Sequence, residues 1–291
     1  SSFVPAAMSP RLLLGLTLLL APFASVQAQD PAPKEYRVLL VGNSLTYTNN
    51  LPALLRAVGA SQGSPISTET YAVAGGKLDD RWDEGHVAAA LRARKFDAVV
   101  LQEQGGHLAA CMSSLQEQRK APCAASVQAY RNFAELASAQ GAKVLLFGTW
   151  GPDERWQGKL NRSVRMIAKA NDAKVFDAAG ALTALRKAQP EVKLYPDGTH
   201  PSTLASVTLA LALYRDVTGN APAAKDLRVT APLLPVNAAV SPSSAMESQS
   251  GLAGDGKATL IPFALVEPLV KALPDPKDAA KDMEGPGRRG R

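Results

Sequence analysis

Arg37-Val38-Leu39-Leu40-Val41-Gly42-Asn43-Ser44 is the stretch from which the fold is read. A strand with one face in water alternates apolar and polar residues, whereas Val38 to Val41 is apolar without a break. Such a run suits a strand buried on both faces, as in parallel sheets covered by helices. Gly42-Asn43 ends the run and Ser44 opens a polar turn. A helix is predicted from near Asn50, with Pro52 in its first turn and Leu51, Leu54, Leu55 and Val58 at helical spacing.

The same punctuation recurs downstream. Asp97–Leu101 and Lys143–Phe147 read as further apolar strands, Lys174–Asp177 as a short one, and residues 66–73 as an alternating one. Helical spacing falls at 87–94, 127–140, 160–170 and 201–217. Short buried strands alternating with helices predict an α/β chain, a three-layer α/β/α sandwich on a short parallel sheet. Ligand sites in such sheets lie beyond the carboxyl ends of the strands. Four segments qualify: Gly42–Ser44, Ala74–Gly76, Gln102–Gly106 and Gly148–Gly151.

After Gly219 the character changes, with nine of the 21 prolines in residues 219–291. The predicted organisation is a main domain over 33–219 and a Pro-rich extension over 220–291. Within the extension, the Ser/Gly/Ala-rich stretch 241–256 is expected to be flexible. Residues 259–273 are apolar enough to dock on the domain, and disorder is expected from Pro274 onward.

Composition excludes several classes of function. The chain carries a net charge of +6, with 46% hydrophobic and 20% charged residues. Its basic residues are scattered apart from Arg288, Arg289 and Arg291, with no stripe interleaved with aromatics, so nucleic acid is not expected as a partner. There is no P-loop and no G-x-G-x-x-G, and no cluster of metal-ligating residues, so no cofactor and no metal are expected. The G-x-S-x-G elbow of α/β-hydrolases is missing too. Residues 1–28 run from Arg11 through an apolar Leu-rich segment to Val26-Gln27-Ala28, the pattern of a secretory signal peptide. A periplasmic or extracellular protein with no membrane span after cleavage is therefore expected. In that compartment Cys111 and Cys123 are expected to pair, two buried thiols being the alternative.

Two residues carry the chemistry. Ser44 follows a buried strand at the entrance to a helix, where backbone N–H groups can hold an oxyanion. His200 lies in Tyr195-Pro196-Asp197-Gly198-Thr199-His200, with Asp197 three residues upstream across a turn tightened by Gly198. One turn can thus present a carboxylate to one imidazole nitrogen and leave the other for a serine. Asp153 and Asp177 also follow strands and compete as the acid.

In combination these stretches resemble the SGNH/GDSL hydrolases over residues 36–218. Leu39-Leu40-Val41-Gly42-Asn43-Ser44-Leu45-Thr46 is similar to the first family block, Tyr71-Ala72-Val73-Ala74-Gly75-Gly76 to the second, and Asp197-Gly198-Thr199-His200 to the last. The resemblance implies a flavodoxin-like fold, a Ser44–His200–Asp197 triad and an oxyanion hole from the Ser44 and Gly75 N–H groups. The third block departs: where the family has G-x-N-D, this chain has Leu101-Gln102-Glu103-Gln104, as in a bacterial branch that also opens G-N-S. Gln104 stands where the family's Asn donates to the oxyanion, and Gln102 is the alternative. Glu103 orients the glutamines, ion-pairs at the site or lies on a solvated loop, and Gln102, Glu103 and Trp150 are the candidate substrate contacts. His107 touches substrate or lies on a surface loop. Trp82, Trp150 and Trp156 stack on a sugar or pack locally. The implied substrate is a small-molecule or carbohydrate ester, an acetyl ester among them. Lipase, thioesterase or acyltransferase action on the same site, or a non-catalytic binding protein, is the alternative.

Overall fold

The computed structural model describes residues 33–275 and, upstream, Ser2. The expected signal peptide falls outside the described residues, as does the expected disorder from Pro274 onward except at Asp275 and at Pro274, whose carbonyl accepts from Arg215 Nη1 at 2.6 Å.

Strands β1 (Tyr36–Gly42), β2 (Ile66–Ala72), β3 (Ala98–Leu101), β4 (Lys143–Phe147) and β5 (Lys174–Phe176) form one parallel sheet in the order β2-β1-β3-β4-β5. In chain order the helices are α1 (Ser44–Tyr47), α2 (Leu51–Gln62), α3 (Leu78–Asp83), α4 (His86–Ala93), α5 (Gly105–Cys111), α6 (Leu115–Arg119), α7 (Ala121–Ala139), α8 (Glu154–Ala170), α9 (Ala178–Ala188), α10 (Thr203–Thr218) and α11 (Phe263–Ala272). The continuous apolar runs are explained by what covers the sheet. Val38, Leu40, Val100 and Leu145 pack with α2, α9, α10 and α11 on one face. Leu39, Val41, Val99 and Leu146 pack with α4, α7 and α8 on the other.

The strand order reverses direction between β1 and β3: the chain leaves β1 for β2 on one side and returns to β3 on the other. That switch point opens a crevice at the carboxyl ends of the strands, where the turns after β1, β2 and β3 meet.

The extension is part of this body. Strands β6 (Leu227–Val229) and β7 (Thr259–Ile261) pair antiparallel, and α11 packs on α9 and α10, as expected of 259–273. Residues 241–256, expected to be flexible, instead hold buried Met246 and Leu252 against Tyr47 and Ala72. The sequence pattern misses the reason, which is a single carboxylate. Glu247 accepts from Thr70 N at 2.8 Å, Thr70 Oγ1 at 2.8 Å and Thr68 Oγ1 at 2.7 Å, closing the exposed edge of β2.

Cys111 and Cys123 form a disulfide between the end of α5 and the start of α7. In the chain-entropy account a loop of this size stabilises by about 3 kcal/mol. Replacing both cysteines by serine is therefore expected to lower the denaturation midpoint by that equivalent. An unchanged midpoint would show that the bridge does not constrain the unfolded chain.

Candidate active site

Ser44 is held by its neighbours rather than by its own side chain. Asn43 is extended, and its Oδ1 accepts from Leu45 N at 3.1 Å. Its Nδ2 donates to Gly76 O at 3.2 Å and so ties the turn after β1 to the loop after β2. Gln102, fully buried at the end of β3, braces the turn from beneath. Its Oε1 accepts from Asn43 N at 2.9 Å and from Thr46 Oγ1 at 2.8 Å. Gly42 makes this possible, because a Cβ there would lie 2.5 Å from that oxygen. Beyond Tyr47, Asn49 and Asn50 both adopt φ of 56°, a left-handed conformation that Asn tolerates better than most residues. Asn49 Nδ2 donates to Pro201 O at 2.7 Å and to Ser206 Oγ at 3.0 Å, joining the serine loop to the histidine turn.

That turn has the geometry of a relay. Asp197 Oδ1 accepts from Thr199 N at 2.9 Å and from His200 N at 2.8 Å. Its Oδ2 lies 2.7 Å from His200 Nδ1, and His200 Nε2 lies 2.9 Å from Ser44 Oγ. A carboxylate at Nδ1 keeps the proton there and leaves the Nε2 lone pair facing the serine hydroxyl. The His200 and Thr199 N–H groups, with the imidazole, hold the Asp197 carboxyl well below the usual carboxylate range, so it stays ionised. Trp150 supports the turn: its Nε1 donates to Thr199 O at 2.8 Å and its ring stacks on Tyr195.

The three expected oxyanion donors are not engaged by other groups among the described residues. Gly75 has φ of +66° and is exposed, and a Cβ there would meet nothing within 4 Å. Among the described residues the Ser44 and Gly75 N–H groups have no acceptor. Gln104 is exposed at the entrance to α5, and its amide is in no hydrogen bond among the described residues.

Other sequence candidates are engaged with partners within the protein. Gln102, the alternative donor and candidate substrate contact, spends its carbonyl oxygen on Asn43 and Thr46 and its Nε2 on Glu103 O. Trp150 uses its indole N–H on the histidine turn. Asp153 and Asp177 cap helices, accepting from Trp156 N and Gly180 N at 2.8 and 2.9 Å, while the carboxylate at His200 Nδ1 is that of Asp197. His107 sets its Nε2 at 2.8 Å from Ser126 Oγ, beside the disulfide. Trp82 packs edge-on against Phe133, and Lys159 lies over the ring of Trp156.

Glu103 is only 1% exposed, not on a solvated loop or at a substrate surface. Its Oε1 accepts from Gln104 N at 2.7 Å and its Oε2 from Leu78 N at 3.3 Å, which joins the two loops carrying Gln104 and Gly75. Burial pushes its pKa up to about 7, against its two backbone donors and with Asp79 adding to the rise. A carboxyl raised in the folded state favours folding while protonated. Stability is therefore fully present below about 4.5, the unfolded value, and is lost as pH rises toward about 7. Thermal midpoints across that window are expected to show a fall that is smaller in Glu103→Gln, because the Asp216 carboxyl, also pushed up by burial to about 6, supplies the rest. Parallel pH profiles for the two proteins would contradict this.

No family model and no curated protein sequence matches the chain. Among solved structures it is similar to a DUF4886 family protein from Bacteroides uniformis, at 14% identity over 64% of this chain and 84% of that one, with a TM-score of 0.50. It is also similar to TesA, at 21% identity over 63% of this chain and 98% of that one, with a TM-score of 0.47. A third is Axe2, an acetylxylan esterase from Geobacillus stearothermophilus, at 16% identity over 67% and 99% of the two chains, with a TM-score of 0.48. The likeness to the Bacteroides uniformis protein is one of fold, and the fold is the three-layer α/β/α sandwich the strand pattern predicts.

Proposed function

We propose that this chain is a serine esterase of the SGNH/GDSL type, exported from a bacterial cell, that hydrolyses a carboxylic ester. The observation that carries the reading is the continuous relay from Asp197 through His200 to Ser44 Oγ, with contacts of 2.7 and 2.9 Å. His200 Nε2 takes the serine proton as Oγ attacks the ester carbonyl. The Ser44 and Gly75 N–H groups and the Gln104 amide meet the charge that develops on the carbonyl oxygen. The tetrahedral intermediate then collapses, and the protonated Nε2 hands its proton to the leaving alcohol. Water, deprotonated by the same nitrogen, releases the acyl group and restores Ser44. Export rests on the N-terminal pattern, and an acetyl ester of a carbohydrate rests on the wording of the second motif block.

Hydrolysis of p-nitrophenyl acetate and p-nitrophenyl octanoate by wild type and Ser44→Ala tests the reading. Turnover of the acetate by wild type, lost in the variant, is expected. Preference for the octanoate moves the assignment to a lipase or thioesterase. Failure on both esters points to a binding protein.

A further inference from the structure

The segment after β6 returns to the candidate active site. Pro232 O accepts from Asn50 Nδ2 at 3.0 Å, Leu234 O from Asn49 N at 2.8 Å, and Val236 O from Tyr47 Oη at 2.7 Å. These bonds lay residues 232–236 along the stretch that follows Ser44. Leu234, Pro235 and Val236 then wall an open hollow of about 470 Å³ whose other sides include Thr48, Pro196 and His200. Thr48 is 3% exposed, and among the described residues its Oγ1 is the one buried side-chain hydroxyl without a hydrogen-bond partner.

Position in the fold indicates which part of a substrate lies there. The loops carrying Gly75 and Gln104 lead into α3 and α5, on the sheet face that packs α7 and α8. His200 leads into α10 on the opposite face, and the 232–236 segment lies with it. In a tetrahedral intermediate the oxyanion and the leaving oxygen occupy different corners. With the oxyanion toward Gly75 and Gln104, the leaving oxygen falls on the His200 side, where Nε2 delivers its proton.

We infer, resting on the esterase reading, that this hollow is the subsite for the alcohol half of the ester and that the C-terminal extension sets its specificity. Pro196, Pro235 and Val236 present apolar surface, whereas the Thr48 hydroxyl is buried out of a ligand's reach. Such a wall suits an alcohol with an apolar ring face, and a pyranoside presents one.

The test compares kcat/KM for methyl 6-O-acetyl-glucopyranoside with that for methyl acetate, in wild type, Val236→Trp and Val236→Ala. Val236→Trp fills the hollow and should lower the glucoside-to-methyl ratio by about ten-fold or more, chiefly through KM. Val236→Ala strips apolar surface from the wall and should lower the ratio by about three- to five-fold. If Val236→Trp does not fold, Val236→Ala decides alone. Ratios within two-fold of wild type in an active enzyme overturn the inference, as does a wild type that cleaves methyl acetate but not the glucoside. A wild type that cleaves neither ester and resists a fluorophosphonate probe overturns the esterase reading, and this inference with it.

Discussion

His200→Ala is expected to lower kcat for ester hydrolysis by about 10⁴- to 10⁶-fold while leaving the fold intact. A serine hydroxyl is a weak nucleophile until a base takes its proton, and Nε2 at 2.9 Å is the group in place to do so. The imidazole is 18% exposed and bonded only within the site, so its loss should lower the thermal midpoint modestly without unfolding the chain. Asp197→Asn should cost about 10⁴-fold, because an amide nitrogen facing Nδ1 favours the tautomer with its proton on Nε2, the wrong one for accepting from Ser44. The check is single-turnover and steady-state hydrolysis with circular dichroism as a fold control. Activity within ten-fold of wild type in His200→Ala would remove the histidine from the chemistry.

Gln104→Ala is expected to lower kcat by about 100- to 1,000-fold with little change in KM. The side-chain amide has no partner among the described residues, and a bond to an oxyanion strengthens only as charge develops on the oxygen. Gln104→Asn keeps the donor with one methylene less of reach and should restore little. Gln102→Ala makes the contrast. It leaves the Asn43 N–H and the Thr46 hydroxyl buried without an acceptor, at a cost of about 1–3 kcal/mol for each group. Its signature is a lower denaturation midpoint accompanied by lower activity, whereas Gln104→Ala should leave the midpoint unchanged. A near-normal kcat in Gln104→Ala would mean that the two backbone donors suffice.

The sheet was legible because its determinants are local. Val38–Val41, Val99–Leu101 and Val144–Phe147 are apolar runs that only a doubly covered strand accommodates. The relay was legible because Asp197 and His200 share one turn. Elements with weak periodicity were harder to read. α9 is a run of Ala and Leu without a sharp polar face, and α3, α5 and α6 are too short to display a period. α8 begins six residues before Leu160, because Asp153 caps a polar first turn that carries no apolar repeat.

Gln102 and Glu103 show a different limit. Two polar residues after a strand read as loop surface, and both are buried. Three of their donors, Asn43 N, Thr46 Oγ1 and Leu78 N, lie 25 to 59 positions away, a separation no local pattern carries. Gly42 was the available signal, since a glycine at the end of a buried strand marks a close approach. Glu247 is the same case in reverse: the low-complexity look of 241–256 concealed one carboxylate that satisfies a strand edge. Asn49 was unreadable for a third reason, since its partners Pro201 and Ser206 become neighbours only when α2 and α10 pack.

The central claim is that Ser44 is an activated nucleophile, and covalent labelling tests it most directly. The protein is treated with a fluorophosphonate, digested and mapped by mass spectrometry, beside Ser44→Ala and His200→Ala. One adduct, on the peptide containing Ser44, absent from Ser44→Ala and strongly slowed in His200→Ala, is the predicted result. An adduct on another serine, or labelling of Ser44 at the same rate without His200, would contradict it.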